Sequence, residues 1–213
     1  MVPSLTSRTS LQFRDLFRAS MARISSQAMV LTAGSSKRNE PLHGMTLSSV
    51  CSLSVYPTPL LQFNLHLPSY TSSSLHANDG LLCLHVMPPT EKSVFLSRTF
   101  ASGIKKDPEH FEVKPDDGEI FHEMTTPFSS IANDDYKLHR VENGIDVPVL
   151  AELEVAFVCK KKEVFTVDNH EIWVVKVLDV LFPNGRFKHE KSGGLLYFDR
   201  GFHTVGSPVR EPE

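Results

Sequence analysis

A run of small hydroxyl side chains between residues 44 and 54 is the part of this sequence best suited to holding a ligand. Thr46, Ser48, Ser49 and Ser52 lie in this run, which contains no charged residue. Hydroxyls and nearby backbone N–H groups can orient a flat heteroaromatic ring that has carbonyls and nitrogens at its edge, and neutral donors do not bias its redox state. The alternative interpretation is a Ser/Thr-rich barrel wall that binds nothing.

A second hydroxyl cluster follows at residues 69–74, which read Ser-Tyr-Thr-Ser-Ser-Ser. This composition predicts the N-cap and first turn of a short helix that ends near Asp79 and Gly80. The unpaired N–H groups at the start of such a helix favour phosphate. An ordinary N-cap without a ligand would leave the same pattern.

Other familiar catalytic and metal-binding motifs are absent from the sequence. It contains no G-x-G-x-x-G, no Walker A loop, no H-E-x-x-H and no G-x-S-x-G. The ten histidines show no metal-ligand spacing. The cysteines are Cys51, Cys83 and Cys159, an odd number with no Cys-x-x-Cys pair, which argues against a disulfide framework or a zinc site.

Alternating apolar residues predict that strands position both hydroxyl clusters. The alternating runs are residues 51–55, 61–67, 82–86 and 153–157. Residues 172–181 are strongly β-prone, Asn184-Gly185 is typical of a hairpin, and Thr90 is placed to cap a second short helix. Many strands with few helices predict a mainly β protein and a closed antiparallel barrel, because closure removes exposed edges.

The ends of the chain and one internal segment differ from this pattern. We predict a flexible segment at 1–12, one domain at 13–206 and a tail at 207–213, with a surface excursion at 101–147 whose first part is acidic and proline-containing. Through residue 39 there are six basic side chains and one acidic one, as in a mitochondrial targeting segment. Apolar residues from Phe13 to Ile24 also have the spacing of an amphipathic helix.

The composition limits the class of protein. The chain has 213 residues, 40% of them hydrophobic and 22% charged, and a formal net charge of −3. A near-neutral balance predicts no nucleic-acid partner. No apolar run approaches the ~20 residues of a membrane span. We therefore expect a soluble intracellular protein with a core of its own, mitochondrial or otherwise cytoplasmic.

In several short segments the sequence resembles the flavin reductase-like family, the split-barrel FMN-binding domain of small reductase components of two-component flavin monooxygenases. The resemblance spans roughly residues 13–206, and the Gly-Met-Thr-Leu-Ser-Ser block at 44–49 is its most specific part. The segments that carry it are residues 21–23, 28–33, 44–49, 52–57, 60–63, 69–73, 80–84, 100–101, 147–153, 169–171 and 195–203.

The resemblance implies a split β-barrel with a few short helices, and an enzyme that transfers a hydride from NADH or NADPH to bound FMN or FAD. It implies flavin contacts from Met45, Thr46, Leu47, Ser48, Ser49, Cys51, Ser52 and Pro68. It implies phosphate contacts from Ser69, Ser72 and Ser73, with Phe100 nearby. It implies nicotinamide contacts from His170, Arg200, Gly201, Phe202 and His203, with His170 the one candidate catalytic residue and no metal.

The resemblance also implies a homodimer with the flavin near the subunit interface, and an oxygenase or other protein as partner. The chain departs from the family pattern at Asn169, which stands before His170 where an aspartate is usual. Two alternatives stay open. One is an FMN-binding electron-transfer or interaction module without reductase activity of its own, and the other is a barrel that has lost its cofactor.

Overall fold

The computed structural model describes residues 10–36, 40–102, 126–186 and 189–209. Three helices span Ser10–Met21 (α1), Tyr70–Ala77 (α2) and Glu91–Ala101 (α3). The strands are Ser26–Gln27 (β1), Met29–Ala33 (β2), Gly44–Leu47 (β3), Cys51–Ser54 (β4), Leu60–His66 (β5), Leu81–Val86 (β6), Tyr136–Arg140 (β7), Asp146–Leu150 (β8), Val155–Val167 (β9), His170–Leu181 (β10), Leu196–Phe198 (β11) and Gly201–His203 (β12). The expectation of a mainly β chain with short helices is confirmed.

Seven strands form one antiparallel sheet in the order β3-β2-β6-β9-β10-β5-β4. Its end strands, β3 and β4, are joined by residues 48–50 alone. The four Cα steps from Leu47 to Cys51 reach at most about 14 Å. In a flat sheet of this order the end strands would lie about 29 Å apart, at about 4.8 Å per strand. The sheet therefore curls until its ends meet, and we call residues 46–52 the seam.

The curled sheet encloses one apolar cluster. Its buried members come from β2, β3, β5, β6, β9 and β10, together with Leu75 of α2, so both halves of the sheet face the same core. Trp173 and Phe63 stack with ring centroids 6.2 Å apart at its centre. No ladder joins β3 to β4 within the described residues, so the expected closed barrel is wrong in that respect and the curled, split form is what the chain adopts.

A second core cluster lies between β2 and α3 and includes part of the segment predicted as a surface excursion. Phe128 contacts Phe100 and Tyr136 edge to face, with ring centroids 5.3 and 5.0 Å apart. Ile145 and Val147 are buried in a third cluster beside β6 and β9. Residues 126–147 are therefore packed on the domain, because their apolar side chains have a core to enter. The acidic part of the predicted excursion, residues 103–125, lies outside the described residues.

The two ends of the chain meet in a small sheet. Its order is β1-β11-β12, so the strand that opens the domain pairs with the hairpin that closes it. Residues 207–209 of the predicted tail are exposed, and residues 210–213 lie outside the described residues.

Helix α1 begins at Ser10, three residues before the predicted domain start. The apolar residues predicted at helical spacing, four within α1 and Ile24 just after it, remain exposed, with exposed fractions from 46% to 62%: Phe13, Leu16, Phe17, Met21 and Ile24. The rest of the predicted flexible segment, residues 1–9, lies outside the described residues. In the described part of the chain, none of the helices has both the length and the apolar composition that a membrane crossing requires.

One predicted turn is wrong. Asn184 and Gly185 have the positive φ angles, 56° and 67°, that an Asn-Gly hairpin needs, but they lie in a 3₁₀ turn, and the described residues on either side of it form no strand pair. The long β9–β10 hairpin is instead closed by Asp168 and Asn169, with φ of 49° at Asp168. Asparagine and aspartate tolerate this left-handed region better than most residues, so either turn satisfies the local preference.

Candidate functional site

The predicted ligand-binding residues of the seam fall into two groups: some have exposed side chains, and others have side chains that are hydrogen-bonded within the protein. Ser48, Cys51 and Ser52 are exposed. The Thr46 hydroxyl donates to the Ser97 carbonyl of α3 at 2.7 Å. The Ser49 Oγ accepts from the Asn64 backbone N–H at 3.1 Å, which continues the β4–β5 pairing toward β3. Ser49 therefore helps to hold the ends of the sheet together, while Ser48 and Ser52 are the hydroxyls open to a ligand.

At two neighbouring positions a ligand could contact the backbone more readily than the side chain. Met45 and Leu47 are buried in the central core. Phe100 is fully buried in the second cluster, packed against Phe128 and close to Gly44, where an added Cβ would lie 2.8 Å from its ring. Phe100 thus packs behind β3, the strand that leads into the seam, and supports it. It does not lie beside an open surface.

The start of α2 forms the second part of the site. Ser69 is the N-cap, as predicted, and its Oγ accepts from the Ser72 N–H at 3.2 Å. Ser73 is exposed and donates to the Ser69 carbonyl at 3.1 Å. The Thr71 hydroxyl is buried and has no hydrogen-bond partner among the described residues. Pro68, which precedes the cap, is exposed and follows a cis peptide bond.

Ser72 is engaged by a buried carboxylate that sequence analysis missed. Its Oγ donates to Glu171 Oε2 at 2.6 Å, and Trp173 Nε1 donates to the same oxygen at 2.9 Å. His76 Nε2 lies 2.8 Å from Glu171 Oε1. Burial raises the pKa of Glu171, but the bonds from Ser72, His76 and Trp173 outweigh it, so the pKa lies below its usual value. This network fastens α2 to β10.

A groove lies on the outer face of β5 and β10, and residues of the seam and of the start of β10 both line it. Its volume is about 360 Å³, within the range of small-molecule sites. The lining residues are Ser49, Gln62, Phe63, Asn64, Val167, Asp168, His170 and Ile172. Two predicted site residues, Ser49 and His170, are thus adjacent to one cavity, and Asp168 is its one acidic group.

At one end of the groove, the rings of His66 and His170 meet edge to face, with centroids 4.9 Å apart and an interplanar angle of 75°. The two residues are register partners across β5 and β10. Burial, and then the proximity of His170, lowers the pKa of His66.

The closing hairpin, β11–β12, lies beside α3. Its turn is Asp199–Arg200, with positive φ at both residues, which matches the twist of a two-residue hairpin. The Arg98 guanidinium of α3 lies 5.6 Å from the centre of the Phe202 ring. His203 Nε2 lies 3.0 Å from the Phe198 carbonyl, and Gly201 is half-buried. Because Thr46 is bonded to residue 97 of the same helix, the hairpin and the seam share α3 as their support.

The residues present fit a neutral aromatic ligand better than a metal. The exposed hydroxyls of the seam carry no charge, and most of the groove lining is neutral. In residues 10–36, 40–102, 126–186 and 189–209, no group of three histidine, cysteine, aspartate or glutamate side chains is arranged to hold a metal ion. Cys83 and Cys159 are buried free thiols, and burial raises the pKa of Cys159 to about 12, so it stays protonated.

Comparison with known proteins agrees with this fold. Residues 21–206 match the family model described as flavin reductase like domain. A flavin reductase domain protein from Arthrobacter sp. FB24 superposes with a TM-score of 0.65 at 19% identity, over 94% of this chain and 100% of its own. The flavin reductase HpaC, solved with NADP+, gives 0.62 at 19%, over 90% and 97%. The Streptomyces globisporus C-1027 NADH:FAD oxidoreductase SgcE6, solved with NAD and FAD fragments, gives 0.64 at 16%, over 96% and 100%.

Proposed function

Because the chain belongs to the flavin reductase like family, we propose that it is an NAD(P)H-dependent flavin reductase. A bound FMN or FAD would accept a hydride from the nicotinamide ring of NADH or NADPH. The observation that carries the proposal is the groove of about 360 Å³ in which the seam residue Ser49 and His170 lie together. Structures of two relatives hold NADP+, or NAD and FAD fragments.

The seam would hold the flavin ring. The exposed Ser48 and Ser52 hydroxyls and the backbone at residues 45–51 supply neutral donors and acceptors, and Ser49 fastens the connection between β3 and β4 to β5. Ser69 and Ser73, at the start of α2, would meet the phosphate. Ser72 contributes through the Glu171 network that sets the position of the helix, since its side chain is buried and its hydroxyl donates to a carboxylate, whereas Ser73 is exposed.

His170 and the hairpin residues Arg200, Gly201, Phe202 and His203 would hold the nicotinamide nucleotide. The protein's task in hydride transfer is to bring two rings together in a fixed orientation, and such positioning can supply about 7–11 kcal/mol of a reaction barrier. No general acid or base is needed, so these residues act by binding.

We also propose that the enzyme is a homodimer with the flavin near the interface. Support comes from the apolar side chains that follow the seam and stay exposed, by 48% at Leu53, 80% at Val55 and 89% at Tyr56. A second subunit covering them would also exclude water from the ring. Light scattering of the purified chain tests this, and a monomer at micromolar concentration would contradict it.

The function is tested by anaerobic titration of the purified full chain with FMN and FAD, followed by NADH or NADPH. Loss of the flavin's visible absorbance on adding a nicotinamide nucleotide is the expected result. A protein that binds flavin but responds to neither nucleotide would support the electron-transfer or interaction module instead. A protein that binds neither flavin would refute both.

The Ser48→Tyr variant tests the placement of the ring. A phenol at this exposed seam position should fill the space for the ring and abolish flavin binding while unfolding stays cooperative. Ser130→Tyr, at an exposed serine outside the seam, is the matched control and should bind normally. Unchanged titration of Ser48→Tyr with FMN would contradict the placement.

A further inference from the structure

The paired histidines at the end of the groove lie on the route from the seam to α2. His66 ends β5, and three residues later Ser69 caps α2. The Leu67 N–H donates to the Asn169 carbonyl at 2.7 Å, which ties this connection to the β9–β10 turn beside His170. Three Cα steps span at most about 10 Å. An anion held at the first turn of α2 would therefore lie within reach of the His66 and His170 charges.

This part of the chain has almost no charge with which to meet a phosphate. From residue 41 to residue 90 the one formally charged side chain is Asp79. The groove adds Asp168, which is also negative. Among β5, α2 and the β9–β10 turn, together with His170, histidine is the only residue type that can become positive. A positive side chain beside a phosphate dianion would strengthen its binding, because charge-assisted hydrogen bonds are about twice as strong as those from neutral donors.

We propose that the His66–His170 pair supplies this charge by taking up a proton from solvent when the flavin phosphate binds. The inference rests on the proposed function and assigns a role in it to His66, which is a positioning and charge-supplying residue. The pair then discriminates flavin nucleotides from riboflavin, which has no phosphate.

The arrangement of the pair explains why the proton arrives with the ligand. Two imidazoles 4.9 Å apart disfavour a shared positive state, and burial of His66 adds to this. A nearby phosphate reverses the balance because it favours the charged form. The other titratable groups around the pair and the start of α2 are Asp168 in the turn, the His76–Glu171 pair on the opposite face of β10, and His43, whose ring centroid lies 5.5 Å from that of Tyr70.

The sign of the effect follows from linkage. If one proton is taken up on binding, FMN affinity rises as the pH falls, by up to tenfold per pH unit. Between about pH 8 and about pH 6.5, around the ordinary histidine pKa, we expect FMN to bind about fivefold more tightly. Riboflavin affinity should change by less than about twofold, because its ring and ribityl chain do not titrate in this range. Protonation of the free FMN phosphate, whose second pKa is about 6, weakens binding as the pH falls and so cannot mimic the expected tightening.

Calorimetric titration of the full chain with FMN and with riboflavin is the experiment. It is run at both pH values in buffers of different ionisation enthalpy, so that proton uptake appears as a buffer-dependent heat. His66→Gln should lose the pH dependence for FMN and keep the riboflavin affinity, which also shows that it is folded. His139→Gln, on the separate β7–β8 hairpin, is the matched control and should behave as the wild type.

Each outcome is decisive. Equal pH dependence for FMN and riboflavin, or dependence retained in His66→Gln, overturns this inference and leaves the proposed function standing. Absence of binding by both flavins overturns the proposed function and the inference with it. If His66→Gln does not bind riboflavin, the titrations of the wild type alone test the inference. A binding heat for FMN that is the same in every buffer then refutes proton uptake.

Discussion

The buried histidine of β6 makes the stability of this protein depend on acid in a predictable way. His85 is fully buried; its Nδ1 lies 2.9 Å from the Val30 carbonyl, and its Nε2 accepts from the Leu150 N–H at 3.1 Å. These partners require the neutral ring, with the proton on Nδ1. Burial lowers the pKa of His85 from 6.5 to about 4, and the bond to Val30 offsets only part of this.

The magnitude follows from that difference. Below about pH 6.5 the unfolded chain protonates His85, whereas the folded chain stays neutral there until about pH 4. Stability is therefore lost as the pH falls through this window, by up to about 1.4 kcal/mol per pH unit. The whole interval corresponds to about 3 kcal/mol, a large part of the 5–15 kcal/mol typical of a domain.

Urea unfolding of wild type and His85→Gln between about pH 7 and about pH 4 measures this contribution of His85 to the free energy of unfolding. Trp173 is the single tryptophan and is buried, so its fluorescence reports unfolding. The variant should be less stable at neutral pH, and its deficit should shrink by about 3 kcal/mol at the acid end because it has no proton to take up. Other groups titrate equally in both proteins and cancel.

His139→Gln serves as the control, since it removes a histidine outside the core. Its stability curve should run parallel to that of the wild type. If the His85→Gln curve also runs parallel across the acid range, the buried neutral histidine is not the source of the acid sensitivity and the reasoning is wrong.

Three further results are expected from single substitutions. Gly80→Ala should lower the free energy of urea unfolding by more than about 2 kcal/mol, because φ is +64° and the new Cβ would lie 2.2 Å from a side-chain carbon. Gly185→Ala, with φ of +67° and open space around it, should lower it by about 1 kcal/mol. Equal losses would contradict the contact at Gly80. Trp173→Phe should lose about 2 kcal/mol as the Glu171 bond is removed, measured by thermal unfolding, and no loss would refute the network. Ser49→Ala should raise hydrogen exchange at the Asn64 amide, and unchanged protection would argue against its bridging role.

The strands and the helix N-caps could be predicted from the sequence, because both depend on the local pattern of residues. Alternation located β4, β5 and β6 to within a few residues, the β-prone composition of residues 172–181 located β10, and Ser69 and Thr90 cap the helices that their types predict. The Asn184-Gly185 prediction failed because a favoured turn conformation does not supply strands to pair on either side.

The Glu171 network could not be predicted from the sequence, because its partners in α2 lie 95 and 99 residues away. Only one local signal pointed to it: an acidic residue at an inward position, two residues before Trp173, in an otherwise apolar face. The sequence singled out residues 46–52 for their hydroxyls, but which of these hydroxyls are exposed depends on the positions of α3 and β5.

The order of strands in the large sheet has a consequence for synthesis of the chain. The two central strands, β9 and β10, come late in the sequence, while the strands that they join, β6 and β5, come early. As the polypeptide leaves the ribosome, its first half can form only two separate groups of strands whose unpaired edges face the solvent. Such edges are sites of aggregation. The facing edges of β6 and β5 therefore stay unpaired until residues 155–181 have left the ribosome.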